Sequence, residues 1–170
     1  STSAQYSWQT PSLGLSGTPT MLAVGYFDSA VLSSAGDVAV CGSGSNGMHG
    51  IGTIAQSTSF ILSNITGVSA LYAARGYWTN FAVKSNGTFW GVGYNGGYNL
   101  GNSTTNNSSS WVQILIPGSP TISRVSAHQY QTYITDSNGN VYASGYGSNG
   151  RILGLPAGSG STLSNFTKLT

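Results

Sequence analysis

Three segments of the chain align with one another without gaps, and this internal repeat restricts the fold more than any other feature. They read GYFDSAVLSSAG from Gly25, GYWTNFAVKSNG from Gly76 and HQYQTYITDSNG from His128. Their starts lie 51 and then 52 residues apart. A period of this length indicates supersecondary units that stack on their neighbours to share a core.

Glycines punctuate each repeat at matching places. Every aligned segment ends on a turn glycine, at Gly36, Gly87 and Gly139, and the last two stand in Ser-Asn-Gly. Asn-Gly supplies the positive-φ conformations of a tight hairpin, so the pattern predicts a hairpin in every repeat. A second glycine follows six residues later, at Gly42, Gly93 and Gly145. A glycine at a strand end is typical of a bulge or of a close backbone approach.

The rest of each repeat also predicts short strands. A Gly- and Asn-rich loop follows the second glycine, and two further apolar segments complete the unit, without helical periodicity. About four short strands per repeat predict an all-β chain of four-stranded blades. We divide the chain into an N-terminal strand or arm (1–19) and one domain of three repeats (20–65, 66–117 and 118–170).

These residues resemble the RCC1 repeat, and the middle unit resembles it most. Its sequence ALYAARGYWTNFAVKSNGTFWGVGYNGGYNLGNST is similar to the family's order of a small-residue strand, a Gly-aromatic start, a turn glycine, and Leu-Gly after an Asn-containing loop. The resemblance implies RCC1-like β-propeller blades. This chain departs from the family's Trp-Gly pair, because Cys41, Val92 and Ser144 stand at the Trp position. Exchange-factor activity and chromatin binding are not implied, since the chain has no basic tail.

Three blades raise a problem of closure. Propellers close with about four to eight blades, and the resemblance implies a ring of about seven. An open stack exposes sheet edges that invite pairing with other chains. Two chains forming one six-bladed ring, coverage by different subunits, and closure as a three-repeat β-trefoil or β-prism all remain open from the sequence.

The composition excludes several classes of function. Only 5% of the residues are charged, the net charge is +2 and there is no Glu, against about 25% charged residues in ordinary domains. So few cations cannot form the basic stripe of a nucleic-acid binder. The sequence contains no run of about 18 apolar residues, so membrane insertion is not predicted. The single cysteine, Cys41, excludes an intrachain disulfide and predicts a buried, inert thiol.

The sequence contains no recognisable catalytic, metal or cofactor motif. His49 and His128 are the only histidines, they occupy different repeat positions, and no Asp lies near either in sequence. No nucleophile elbow or phosphate-binding loop occurs. We therefore predict no catalytic residues, no metal site and no cofactor, and that the protein is not an enzyme.

Aromatic residues are the candidates for binding. The strand-start aromatics Tyr26, Phe27, Tyr77, Trp78 and Tyr130 are expected in the core. Tyrosines in the loops are expected to contact ligands, because Tyr gives a large contact area at low entropic cost. The candidate binding residues are Tyr94, Tyr98, Tyr146, Asn95 and Asn149.

These features favour a non-enzymatic structural or interaction protein of a larger assembly. Low charge, abundant Ser, Thr, Asn and Gly, and open sheet edges favour a virus or phage particle component, such as a capsid decoration protein or a tail or fibre protein. The predicted location is then the virion surface or the extracellular space, and the partners are copies of this chain, capsid proteins or tail proteins. A carbohydrate-binding or adhesin module, with glycans as ligands, is one alternative. A propeller-type inhibitor or scaffold is another.

Overall fold

The described residues form three antiparallel sheets connected by turns and one short 3-10 turn, Ser45–Gly47. The structure is a computed structural model that describes residues 11–74, 78–147, 155 and 162–169. Its strands are β1 (Pro19–Val24), β2 (Asp28–Ser33), β3 (Val38–Gly42), β4 (Ser57–Leu62), β5 (Val68–Ala73), β6 (Thr79–Lys84), β7 (Phe89–Gly93), β8 (Ser108–Ile114), β9 (Ile122–His128), β10 (Gln131–Asp136), β11 (Val141–Tyr146) and β12 (Thr162–Leu169).

Each sheet is a four-stranded meander in which every strand pairs with the next one along the chain. We call β1–β4 blade 1, β5–β8 blade 2 and β9–β12 blade 3. The first strands of successive blades contact one another, so β1, β5 and β9 line the inner side of the arc of blades. The predicted all-β fold of three four-stranded blades is confirmed.

Blade 2 is covered on both faces, because alternate side chains of a strand point to opposite sides of its sheet. Leu71, Ala82 and Val92 pack with blade 1 in one apolar cluster. Tyr72, Phe81 and Phe89 pack with blade 3 in a second cluster. Face-to-face stacking of this kind excludes the trefoil or prism alternative, in which three units would enclose one shared core.

The hairpin between the second and third strands is the same in all blades. Gly36, Gly87 and Gly139 have φ of 83°, 83° and 82°. Each donates its N–H to the carbonyl three residues earlier, over 3.0, 2.8 and 3.1 Å. In the hairpins of blades 2 and 3, only the glycine of the Asn-Gly pair takes positive φ. The hairpins are therefore three-residue loops with a left-handed glycine, rather than two-residue turns that need positive φ twice.

The described part of the N-terminal segment lies on blade 1. Thr18 accepts a hydrogen bond from the Ser34 N–H at 2.8 Å, and the Ser16 N–H donates to the Asp37 carboxylate at 3.2 Å. These contacts attach the segment to the β2–β3 hairpin. Residues 1–10 lie outside the described residues.

Candidate binding surfaces: an aromatic row and an open blade face

Six aromatic side chains form a continuous row along one rim of the three blades. Successive ring centroids are 4.4, 5.7, 6.5, 6.3 and 6.5 Å apart, in the order Tyr26, Phe27, Trp78, Tyr94, Tyr130, Tyr146. Two of these contacts cross between blades. Phe27 of blade 1 stacks on Trp78 of blade 2 with an interplanar angle of 10°, and Tyr94 of blade 2 meets Tyr130 of blade 3. We call these six residues the aromatic row.

The repeat glycines position this row. Gly42, Gly93 and Gly145 have φ of 110°, 106° and 128°, and each lies where the pairing register shifts. A Cβ on any of them would overlap the carbonyl of the residue that precedes the second strand of its blade, namely Phe27, Trp78 and Tyr130. The same carbonyls accept the N–H of the residue after each glycine, at 2.9, 2.6 and 2.8 Å. The bulge glycine therefore holds Tyr94 against Trp78, and Tyr146 against Tyr130.

Two glycines in the loop of blade 2 leave the space that the Tyr94 and Tyr130 rings occupy. A Cβ on Gly96 would overlap the Tyr94 ring, and one on Gly97 would lie 2.8 Å from Cδ1 of Tyr130. Nearby, the buried Asn99 amide donates to the carbonyls of His128 and Gln129, over 3.2 and 3.1 Å. The loop of blade 2 thus fixes the backbone that carries the aromatic residues of blade 3.

The expectation that the strand-start aromatics lie in the core is wrong. Tyr26 is 72% exposed, Phe27 48% and Tyr130 38%. The second strand starts directly after Phe27 and Tyr130, at Asp28 and Gln131, whereas the aromatic residues themselves lie on the connection at the rim. Trp78 is half-buried in the aromatic row, and Tyr77 lies outside the described residues.

The structure separates the five candidate binding residues from one another. Tyr94 and Tyr146 belong to the aromatic row, whereas Tyr98 is half-buried with φ of 59°. Asn95 is fully buried, and its amide donates to Asn102 and Thr104 within its own loop. Its side chain therefore shapes the loop. Asn149 lies outside the described residues.

A second recurring feature joins neighbouring blades. The loop after the third strand of blade 1 reaches the outer strand of blade 2, where the Gly52 N–H donates to the Ser109 carbonyl at 2.8 Å. The loop of blade 2 reaches blade 3, where the Ser103 N–H donates to the Ser164 carbonyl at 2.9 Å. The acceptor in each case lies two residues before an aromatic residue of the outer strand. We call this the interblade loop contact.

The aromatic residue at this contact is buried where a preceding blade exists. Trp111 in blade 2 lies against Gly50, and Phe166 in blade 3 lies against Gly101. Trp111 also donates its Nε1–H to the Ser63 hydroxyl at 2.8 Å. Trp111 and Phe166 are 9% and 1% exposed.

In blade 1 the equivalent face has no described blade against it. Strand pairing makes Phe60 the counterpart of Trp111, and Leu22 the counterpart of Leu71. Leu22, Val24 and Leu62 on this face are 64%, 55% and 51% exposed, and Phe60 is partly exposed. Val31 and Ala39, on the two central strands of the same face, are 7% and 0% exposed. We call this surface, comprising Leu22, Val24, Phe60 and Leu62, the open face of blade 1.

Buried polar groups lie between blades 1 and 2, behind the aromatic row. Asp28 accepts a hydrogen bond from the Asn80 amide at 2.7 Å, and that amide also donates to the Met48 carbonyl. Burial raises the pKa of Asp28, against the opposing effects of Asn80 and His49. Burial lowers the pKa of His49, against the attraction of Asp28. The fold thus brings together an Asp and a His that are far apart in sequence, but His49 is fully buried and inaccessible to a substrate.

Other reactive groups add no site among the described residues. Burial raises the pKa of the half-buried Cys41 thiol, and the Asp28 charge acts in the same direction; a raised pKa reduces the thiolate fraction that reactivity requires. Within the described ranges no three His, Cys, Asp or Glu side chains come close enough to hold a metal ion. None of the described helical segments has the length and apolar character to cross a bilayer.

The arrangement of blades matches solved propeller structures. The chain superposes on yeast RCC1 (Prp20) bound to Kap60 with a TM-score of 0.84 at 16% identity, covering 96% of this chain and 39% of that one. The fold is that of three blades of an RCC1-type β-propeller. A second structure of Prp20p from Saccharomyces cerevisiae gives 0.82 at 16% identity, with 96% and 41% covered. Human WBSCR16 gives 0.75 at 21% identity, with 91% and 38% covered.

This chain spans about two fifths of the length of those RCC1-type chains. The likeness therefore concerns three blades and their stacking. No family model matches the sequence, and no curated protein matches it.

Proposed function

We propose that this protein is a non-enzymatic interaction scaffold that works as a subunit of a larger protein assembly, with the open face of blade 1 as a subunit contact. The observation that carries this proposal is the contrast between equivalent surfaces. Leu71 and Trp111 of blade 2 are 3% and 9% exposed, whereas Leu22 at the position of Leu71 is 64% exposed. Grouped exposed apolar side chains mark interaction surfaces.

The RCC1-type structures support the proposal because those proteins bind other proteins. One was solved as a complex of Prp20 with Kap60, and another was studied for its binding to Gsp1p and histones. Those chains are about two and a half times as long as this one. Here, protein binding is proposed on the basis of the open face, because a shared fold does not fix a partner.

A more specific form of the proposal places the protein on the outside of a virus or phage particle, as a capsid decoration, tail or fibre component. Its support is compositional: 5% charged residues and no Glu leave few charges to oppose association with neighbouring subunits. Copies of this chain and other particle proteins are then the partners. The location would be the virion surface or the extracellular space.

Light scattering during size-exclusion chromatography tests the subunit contact. We expect the wild-type chain to form oligomers, and Leu22→Asp to shift them toward monomers because a carboxylate would be buried at the contact. Leu115→Asp is the matched control, since Leu115 is 79% exposed and lies away from the open face, beside the β6–β7 hairpin. Equal behaviour of both variants would contradict the use of this face.

Co-sedimentation tests the more specific form. The wild-type chain is mixed with purified particles from its source, and Leu22→Asp serves as the comparison. Particle association that Leu22→Asp weakens supports a particle component. A chain that stays monomeric at micromolar concentration and never sediments with particles argues against the assembly proposal as a whole, and a one-to-one complex with a soluble target favours an inhibitor instead.

A further inference from the structure

We propose that the aromatic row is a binding site for a neutral glycan chain. This site is independent of the open face of blade 1, because it lies on the rim and not on a blade face. The row extends across all three blades, and its exposed members include Tyr26, Phe27, Tyr130 and Tyr146. A linear ligand can therefore contact several rings in succession.

The ring faces provide the first element of recognition. A sugar ring presents C–H groups on one face, which pack against an aromatic ring through dispersion and the negative charge of the π-face. Tyr26 is 72% exposed and Tyr146 43%. Their alignment on one rim leaves a contiguous apolar area in contact with water, which is typical of a binding surface.

A cavity at the blade 3 end of the row provides the second element. It has a volume of about 230 Å³ and is lined by His128, Gln129, Tyr130, Gln131 and Tyr146. The Tyr130 and Tyr146 rings meet edge to face at 85°, so they form two walls of a corner. The lining combines aromatic surface with amide, imidazole and phenol groups, which can both donate and accept hydrogen bonds with sugar hydroxyls.

The residue types in the row and in the described lining of its end cavity favour a neutral glycan. Among the described residues, the row and its end cavity contain no Asp, Glu, Lys or Arg. An acidic glycan or a nucleic acid needs cations for its anionic groups. A neutral glycan needs only hydrogen bonds and apolar contacts, and the row offers both.

The site is also held in place before any ligand arrives. The bulge glycines fix the backbone on which the rings stand, and Asn99 donates to both His128 and Gln129 carbonyls. Tyr130 lies against the backbone of Gly97. A preorganised surface loses less conformational entropy on binding, which favours affinity for a flexible chain molecule.

Calorimetric titration with neutral oligosaccharides tests the proposal. The probes are linear cello-, chito-, malto-, xylo- and manno-oligosaccharides of increasing length, with polygalacturonate oligomers as acidic counterparts. We expect one neutral series to bind, with affinity that rises with chain length and does not change with salt concentration. Tyr130→Ala and Tyr146→Ala should each weaken binding by about tenfold or more, as loss of a stacking partner does in other aromatic platforms.

Control variants separate the site from general effects on folding. Tyr130→Phe keeps the ring and should retain most of the affinity, and Leu115→Ala removes an exposed apolar side chain elsewhere and should change nothing. Thermal melting of every variant shows that it is folded. Absence of binding to every neutral series overturns the proposal, and so does binding that Tyr130→Ala and Tyr146→Ala leave intact.

Two further outcomes would also overturn it. Preference for the acidic oligomers with strong salt dependence would mean that charges outside the row govern binding. A protein partner whose binding is lost in Tyr130→Ala, while no glycan binds, would assign the row to protein recognition. The oligomeric state of Tyr130→Ala should equal that of the wild type, so failure of this proposal leaves the scaffold proposal standing.

Discussion

Blade 1 and blade 2 carry the same face in two different environments. On blade 2, Leu71 and Trp111 lie beneath blade 1 and are almost fully buried. On blade 1, Leu22 and Phe60 occupy the same register positions with no described blade against them. The difference teaches that burial in a repeat protein depends on having a neighbour, and that side-chain type alone does not decide it.

The largest effect should come from the aromatic residue of the interblade loop contact. Trp111→Ala should lower the free energy of unfolding by about 3–5 kcal/mol, because it leaves a cavity and removes the hydrogen bond that the Ser63 hydroxyl accepts. Phe60→Ala should cost much less in the monomer, since Phe60 is only partly buried. Urea denaturation at low protein concentration measures both. Equal costs would mean that Phe60 is covered after all.

The leucine pair gives a second, independent comparison. Leu71→Ala removes a side chain that is 3% exposed and should cost about 2–5 kcal/mol. Leu22→Ala should fall within about 0.5 kcal/mol of the wild type, as surface substitutions usually do. Repeating the Leu22→Ala measurement at rising protein concentration sharpens the comparison, because a cost that grows with concentration reveals a subunit on the open face.

A polar pair tests the same contrast with a smaller effect. Asn80 joins blades 1 and 2 through Asp28 and Met48, whereas its counterpart on blade 1 is Ser29. Asn80→Ala should cost about 1–3 kcal/mol because it leaves a buried acceptor without its donor. Ser29→Ala should be close to neutral. A neutral Asn80→Ala in thermal and chemical unfolding would show that water replaces the lost donor.

The smallest expected effect is a pH dependence at the same junction. The pKa of Asp28 is raised in the folded protein, so the folded state holds its proton more tightly and this contribution to stability is lost as pH rises through the raised pKa. Asp28→Asn removes this loss, so the stability of the variant relative to the wild type should increase as pH rises from about 4 to neutrality. His49 acts oppositely, since its lowered pKa makes the fold less stable as pH falls below 6.5.

His49 is present in both proteins, but in Asp28→Asn its pKa loses the raising effect of the Asp28 charge. The difference from the wild type therefore contains both contributions, and both make the relative stability of the variant increase as pH rises. Unfolding curves at several pH values give the difference. A difference that is constant across the range would show that Asp28 titrates normally in the folded protein.

Much of the fold was predictable from the sequence because glycine positions reflect local backbone needs. Gly36, Gly87 and Gly139 take positive φ in every hairpin, and such glycines recur wherever the turn recurs. The bulge glycines are visible for the same reason, since a Cβ at Gly93 would overlap the Trp78 carbonyl. The stacking of blades 1 and 3 on the two faces of blade 2 was not predictable from the sequence, because it depends on the three-dimensional arrangement of the blades.

The candidate sites were less predictable. The sequence predicts Tyr94 and Tyr146 as loop tyrosines that contact ligands, and they lie in the aromatic row. The row also contains Phe27 and Tyr130, for which the sequence predicts a place in the core. An aromatic residue next to a strand end fits the sequence pattern of a buried strand position and that of an exposed connection equally well. A shift of the strand by one residue decides between the two positions. Asn95 shows the reverse, because a polar loop residue is fully buried as the centre of its own hydrogen-bond network.

The sequence by itself determined the repeat length, the hairpins, the bulges and the blade as the unit of structure, because these depend on contacts within about fifty residues of chain. Only the tertiary structure decided which equivalent side chains are covered and which rings align across blades. Both outcomes depend on the face that a neighbouring blade presents. A repeat whose pattern recurs three times therefore gives a buried Trp111, a buried Phe166 and a partly exposed Phe60.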